Sequence, residues 1–170
     1  MARHWWHSAI FMTLALAWPC IVTAAGSPTA TSPAKASNAQ VARGRYLVNV
    51  GNCNDCHTHD YAPRDGNIPE TEWLKGSTLG FSGPWGTTYA PNLRFTVSNM
   101  TEGQFVAFAK TLKTRPPMPW FNLNRWSDQD LRALYQYVKS LGAIGKPAPQ
   151  FVPADKPAPL PYIQWPPPPK

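Results

Sequence analysis

Cys53-Asn54-Asp55-Cys56-His57 is the stretch on which the reading of this chain turns. Two cysteines separated by two residues and followed at once by a histidine form the attachment pattern of a c-type haem. The chemistry accounts for the spacing. Each thiol adds across one haem vinyl group to form a thioether, and the residue after the second thiol is then placed to offer an imidazole nitrogen to the iron. On this reading Cys53 and Cys56 hold the ring, His57 is the proximal ligand, and the cofactor is one covalently bound haem c.

Two other chemistries use a Cys-x-x-Cys pair. A structural zinc site takes four protein ligands, and only His59 stands near enough to be added, because His4, His7 and Cys20 fall in a leader segment. A thioredoxin-like redox pair sits in a βαβ context, and the strand signals in this chain are poor. The histidine at the fifth position decides for haem.

A chain of 170 residues has room for one domain with appendages. Lys and Arg number 16 against 9 Asp and Glu, but 11 basic and 8 acidic residues lie between Ala39 and Gly142, so part of the surplus belongs to the termini. No run of Lys and Arg makes a stripe, which argues against nucleic acid as a partner. A modest basic surface suits docking to an acidic protein or attraction to an anionic membrane, mainly by speeding encounter.

Residues 1–25 read as a secretory signal: Arg3 supplies the positive start, Ser8 to Trp18 an apolar run short for a bilayer, and Val22-Thr23-Ala24-Ala25-Gly26 the small residues of a cleavage site after Ala24 or Ala25. The alternative is an uncleaved N-terminal anchor. A lipid-modified Cys20 is disfavoured by bulky Trp18 and Pro19 just before it. Removal of the leader leaves no integral membrane span and leaves Cys53 and Cys56 as the sole thiols, in an oxidising compartment, the periplasm. Residues 26–38, rich in Ser, Thr, Ala and Pro, read as a flexible linker.

Over residues 39–50 the pattern predicts a helix with Val41, Tyr46 (or Leu47) and Val50 on one face and Gly51 as its stop. Gly44 costs such a helix about 1 kcal/mol, and close approach of a second helix is the usual reason for accepting it. Residues 58–92 show little periodicity and read as ordered loop, with Trp73, Leu74, Leu79, Phe81, Trp85 and Tyr89 available for packing and His59 exposed. A helix is predicted over 101–112, capped by Ser98 or Asn99, with Phe105, Phe108, Ala109 and Leu112 on one face. Ser127 opens another, with Leu131, Leu134, Tyr135, Val138 and Leu141 as its stripe and Gly142 as its end.

Between these two helices, Pro116, Pro117 and Pro119 surround Met118. Prolines forbid a helix and stiffen the backbone on both sides of one thioether, the presentation a sulfur ligand to iron needs. Met118 is the candidate distal ligand; Met100, a gap-filling role for Met118, and an open sixth position are the alternatives. Residues 143–170 form a Pro-rich extension with ten of the chain's twenty prolines, extended and polyproline-like. Phe151, Tyr162, Ile163 and Trp165 give part of it reason to pack over the domain.

With these residues in view, the chain resembles the class I c-type cytochromes, and most of all the haem modules of bacterial dehydrogenase cytochrome subunits. The likeness runs from Val41 to Gly142 through Gly44-Arg-Tyr-Leu, the haem motif, Gly86-Thr-Thr-Tyr-Ala-Pro-Asn-Leu, Pro117-Met118-Pro119-Trp120 and Asp130-Leu-Arg-Ala-Leu-Tyr-Gln-Tyr-Val. Leu93-Arg-Phe-Thr departs from the Asp-rich turn often found after the third of these parts. The resemblance implies an all-α cytochrome c fold, three to four helices with long loops around one haem over residues 39–142. It also implies His57 and Met118 as axial ligands, and Pro91 as the residue whose carbonyl accepts from the second ring nitrogen of His57. The first and last helices would cross at Gly44. Trp85, Tyr89 and Trp126 are the aromatics able to face the propionates, with none singled out.

The functional expectation is a periplasmic single-haem electron carrier, not an enzyme, whose partners are redox proteins such as a dehydrogenase or an oxidase. Lys110, Lys113, Arg115 and Arg125 flank the Met118 loop as a docking face. The competing class is a haem enzyme or small-ligand sensor with an open or displaceable sixth position. Oligomeric state has no signature in the sequence.

Overall fold

The computed structural model describes residues 37–166. The expected leader over 1–25 with Cys20, and the linker up to residue 36, lie outside the described residues, as do residues 167–170. Among the described residues there are six α-helices, α1 (Asn38–Val50), α2 (Cys53–His57), α3 (Leu93–Ser98), α4 (Glu102–Thr111), α5 (Trp120–Leu123) and α6 (Asp128–Ser140). Three short strands accompany them, β1 (Gly80–Gly83), β2 (Gly86–Tyr89) and β3 (Tyr162–Gln164).

The three helices that periodicity predicts are the three long ones. α1 opens at Ser37, whose hydroxyl accepts from Gln40 N–H at 3.2 Å and so satisfies a donor of the unpaired first turn. Its buried positions are Gly44, Leu47 and Val48, while Tyr46 and Val50 are 55% and 54% exposed. The buried stripe is therefore rotated from the expected one. α4 is capped by Thr101, not by Ser98 or Asn99: Thr101 and Gln104 form a reciprocal capping box, and Asn99 closes α3 instead. α6 opens as expected at Ser127, which accepts from Asp130 N–H at 3.1 Å.

α1 and α6 pack at Gly44, where an added Cβ would lie 2.5 Å from Tyr137 Cβ and run into the Ala133 carbonyl. Only a bare Cα allows that approach. Val48, Phe105, Ala109, Leu131, Leu134 and Val138 then form one core with Trp73 and Leu74 of the long loop.

The all-α expectation needs correction. β1 and β2 form an antiparallel hairpin, β3 runs parallel to β1 with Gly80 opposite Tyr162, and the strand order is β2-β1-β3. Strands of three and four residues, two of them starting at glycine, are too short to print an alternation in the sequence. The short helices α2, α3 and α5 likewise take the count past the three or four expected.

Arg94 is the largest fully buried side chain, 2% exposed. Its guanidinium donates to the carbonyls of Trp73 (2.8 Å), Leu141 (2.8 Å), Thr71 (2.9 Å) and Glu70 (3.1 Å). A buried charge persists only when hydrogen-bonded, and these bonds tie α3 to the 70–73 turn and to the end of α6. The Pro-rich segment also packs over the domain. Asn92 Nδ2 donates to the Ile144 carbonyl (2.9 Å), Val152 and Thr87 exchange both backbone hydrogen bonds (2.7 and 3.0 Å), and β3 extends the sheet.

Candidate haem site

α1 stops at Gly51, and Asn52 at φ 54° turns the chain directly into α2. Cys53, Cys56 and His57 are residues i, i+3 and i+4 of one helical turn, and residues so spaced share a face. The reason for the motif's spacing is thus visible in the local structure. Trp126 closes over this corner, its ring 2.9 Å from where a Gly51 Cβ would stand.

His57 is buried, and its Nδ1 lies 2.8 Å from the Pro91 carbonyl oxygen. A carbonyl can only accept, so Nδ1 carries the proton and Nε2 keeps its lone pair, the tautomer a metal ligand requires. Burial pulls the His57 pKa below its usual value and outweighs the opposing effect of the Pro91 bond, which keeps the ring neutral. The backbone around the ring is cross-braced. Gly76 N–H donates to the His57 carbonyl (2.8 Å), Ser77 N–H to Ala90 (3.1 Å) and Leu93 N–H to Leu74 (3.0 Å). Gly76, at φ +82°, permits this: a Cβ there would lie 2.8 Å from Asn92 N. The buried Thr58 hydroxyl adds a further brace, donating to Asn54 Oδ1 (2.7 Å) and accepting from Leu74 N–H (2.8 Å).

Cys53 and Cys56 form no disulfide. Burial pushes the Cys53 thiol up to about 11 and raises that of Cys56. A cavity of about 260 Å³ opens beside Cys56, walled by Tyr61, Leu79, Phe81 and Ile163 among others. A larger hollow, about 510 Å³, is lined by charged residues including Arg64, Glu72 and Lys75, and neither His57 nor a thiol belongs to it. Among the described residues no three His, Cys, Asp or Glu side chains converge to hold a metal ion, so the zinc reading has no ligand set there.

Buried polar side-chain atoms without a partner test the fit of a haem. Among the described residues they are Asn54 Nδ2, Trp85 Nε1, Thr88 Oγ1 and Tyr89 Oη. Such orphans are rare in folded proteins, and these need acceptors that the chain does not supply. A haem is an apolar disc carrying two carboxylates: the cavity beside Cys56 offers it apolar walls, and the spare N–H and O–H donors belong to residues outside that lining. The residues fit the group, and Trp85 and Tyr89 stand out from the three aromatics the sequence offered, since Trp126 packs on Gly51.

Met118 is half-buried in the loop joining α4 to α5. Asn124 Nδ2 pins the loop's base by donating to the carbonyls of Ala109 (2.6 Å) and Leu112 (3.2 Å), and Lys110 Nζ donates to Trp126 O at 2.6 Å. Met100 packs against the core beside α6, its carbonyl accepting from Tyr135 Oη. His59 is exposed, as expected, near Ser77 Oγ and Asp60. Lys110 is also paired with Asp128 at 3.2 Å, so of the four cations expected to form a docking face it is the one already engaged within the chain.

Residues 41–142 match the cytochrome c family, which covers more than half of the chain. The chain belongs to that family and is a c-type cytochrome. Its cofactor is covalent haem c, and its work is electron transfer. The cytochrome is 29% identical over 149 residues to the fructose dehydrogenase cytochrome subunit of Gluconobacter japonicus, covering 82% of this chain and 27% of the relative. It is 32% identical over 124 residues to the cytochrome c subunit of the quinone alcohol dehydrogenase of Gluconobacter oxydans, covering 64% of this chain and 25% of that one. The cytochrome thus spans about a quarter of the length of these relatives. No solved structure matches it significantly. The family match ends before β3, so the strand added by the Pro-rich segment lies outside it.

Proposed function

We propose that the cytochrome is a single-haem electron carrier of the bacterial periplasm, working between a dehydrogenase and a downstream acceptor, with His57 and Met118 as axial ligands and Cys53 and Cys56 as thioether donors. The observation that carries this reading is the 2.8 Å bond from His57 Nδ1 to Pro91, which presents Nε2 as a neutral ligand from a buried ring. Bound haem c supplies a one-electron Fe(III)/Fe(II) couple.

The chain's own residues do the rest. Cys53 and Cys56 fix the ring covalently at one helical turn, His57 sets its proximal side, and Pro91 fixes the His57 tautomer and raises its basicity. Met118 would offer a thioether from a proline-stiffened loop, and His/Met ligation would leave no place for substrate and favour a high potential. Trp85 and Tyr89, whose N–H and O–H groups lack partners, would be available to hydrogen-bond the propionates. Lys113, Arg115 and Arg125, exposed on or near the Met118 loop with exposed Phe121, form the docking face for an acidic partner. Residues 1–25 direct export, residues 39–142 form the electron-transfer unit, and the naming of two relatives as dehydrogenase subunits supports the class of partner.

The test is an optical spectrum of the ferric and then the reduced protein, with and without Met118→Ala. A far-red sulfur-to-iron charge-transfer band that disappears in the variant supports the carrier. A parent protein without that band, whose ferrous form takes up carbon monoxide readily, would move the enzyme or sensor reading ahead.

A further inference from the structure

The C-terminal segment touches both β2 and the loop that carries Met118. Val152 is bridged to Thr87 by two backbone hydrogen bonds, and Thr87 lies on β2, the strand that leads through Ala90 to Pro91, the partner of His57. Next to Val152, the half-buried ring of Phe151 rests on the backbone of Gly86, its Cζ 2.8 Å from where a Cβ would stand. That ring also carries Arg115, with the guanidinium carbon 3.8 Å from the ring centre. Arg115 stands three positions before Met118.

The need for such a contact shows in the loop itself. Pro116-Pro117 form a turn, and among the described residues no side chain of 113–117 makes a hydrogen bond. Asn124 and Lys110 hold the base of the loop, and Trp120 N–H closes onto the Met118 carbonyl at 2.9 Å. Between those ends, the Arg115–Phe151 stack is the fixture described. Phe151 in turn is held against the rest of the molecule at Val152, at β3 along β1, and at Trp165, whose ring lies 6.3 Å from that of Trp85.

We propose that residues 143–166 form a strap joining the proximal-side strand β2 to the Met118 loop, and that Arg115 and Phe151 are positioning residues which, through this stack, set how readily the loop lifts and exposes the sixth iron position. The consequence for ligand access rests on Met118 as the distal ligand; the strap's hold on the loop does not.

The experiment uses the intact ferric haem protein and the variants Arg115→Gln, Phe151→Leu and their double. Phe151→Leu keeps an apolar side chain and removes the π face. Two quantities are read: the apparent affinity for imidazole, which binds iron only when the loop lifts, and hydrogen exchange at the amides of Arg115, Met118 and Trp120. Each single variant is expected to raise both by about threefold, the equilibrium equivalent of an exposed cation–π contact. The double should rise no further than the larger single, because both changes remove one interaction, and the global unfolding equilibrium should shift by no more than the same roughly threefold factor. Unchanged loop exchange in both single variants, or effects that add in the double, would overturn the strap. If the parent lacks the far-red sulfur band and loop exchange still accelerates, Met118 ligation fails and the strap stands.

Discussion

The Nδ1 atom of His57 and the carbonyl of Pro91, 34 positions apart in sequence, are 2.8 Å apart in space, and Gly76 is the residue that lets the chain between them pass. Its N–H holds the His57 carbonyl while its bare Cα lies against Asn92 N and the Ala90 carbonyl. Gly76→Ala places a side chain at φ +82° and into that backbone. The expected loss is about 2–4 kcal/mol, combining left-handed strain with a clash that the braced loop cannot relieve. Urea unfolding of the haem protein measures it.

Gly44 and Gly103 separate the two things an alanine does in a helix. At Gly44 a Cβ would lie 2.5 Å from Tyr137 Cβ, so Gly44→Ala forces α1 and α6 apart and should lower stability by about 1–3 kcal/mol. At Gly103 in α4 nothing stands within 4 Å, so Gly103→Ala should gain up to about 1 kcal/mol from helix propensity. Opposite shifts of the thermal midpoint are the expected result.

Arg94 donates to four carbonyls and to no carboxylate. Arg94→Met leaves those acceptors without their donor in a buried place and should cost about 3–5 kcal/mol. Arg94→Lys should recover little, because one ammonium cannot span acceptors on the 70–73 turn and the end of α6 together. Denaturation midpoints and haem content of the two variants provide the check.

Two carboxylates clamp the α1 and α6 surfaces. Burial pushes the Glu70 carboxyl upward, but hydrogen bonds from Tyr137 Oη (2.7 Å) and Arg45 Nε (2.9 Å) outweigh it and hold its pKa below the usual value. The hydrogen bond from Arg43 does the same for Asp130. A folded pKa below the unfolded one gives stability that is complete above the unfolded value, about 4 for such groups, and is lost as pH falls through the folded value. Stability should therefore decline in that acidic window. Glu70→Gln with Asp130→Asn should flatten the decline, as read from urea midpoints taken across it.

Covalent chemistry dictates the spacing of Cys53, Cys56 and His57, so the motif could be read without knowledge of the fold. α1, α4 and α6 were legible because each runs ten residues or more with an apolar stripe. The rotated stripe of α1 was not, since Tyr46 and Leu47 are adjacent and only the position of α6 decides between them. Arg94 reads as an ordinary surface charge: its acceptors are backbone carbonyls up to 47 positions away, and a carbonyl leaves no mark in a sequence. The docking cations could be found by their charge alone, but that Lys110 is bound to Trp126 and Asp128 depends on where α6 begins. The unpartnered donors of Trp85 and Tyr89 likewise appear only once burial is known.

The pairing of Gly80 with Tyr162 joins positions 82 apart, and a chain made from its N-terminus presents Cys53 and Cys56 long before Tyr162 exists. Closing so wide a loop carries an entropic cost that delays it relative to local structure. Ile163, on the same last strand, is part of the wall of the cavity beside Cys56. The wall beside Cys56 is therefore complete only once that wide loop has closed. A side chain met late in the sequence thus finishes a surface that begins at its haem motif.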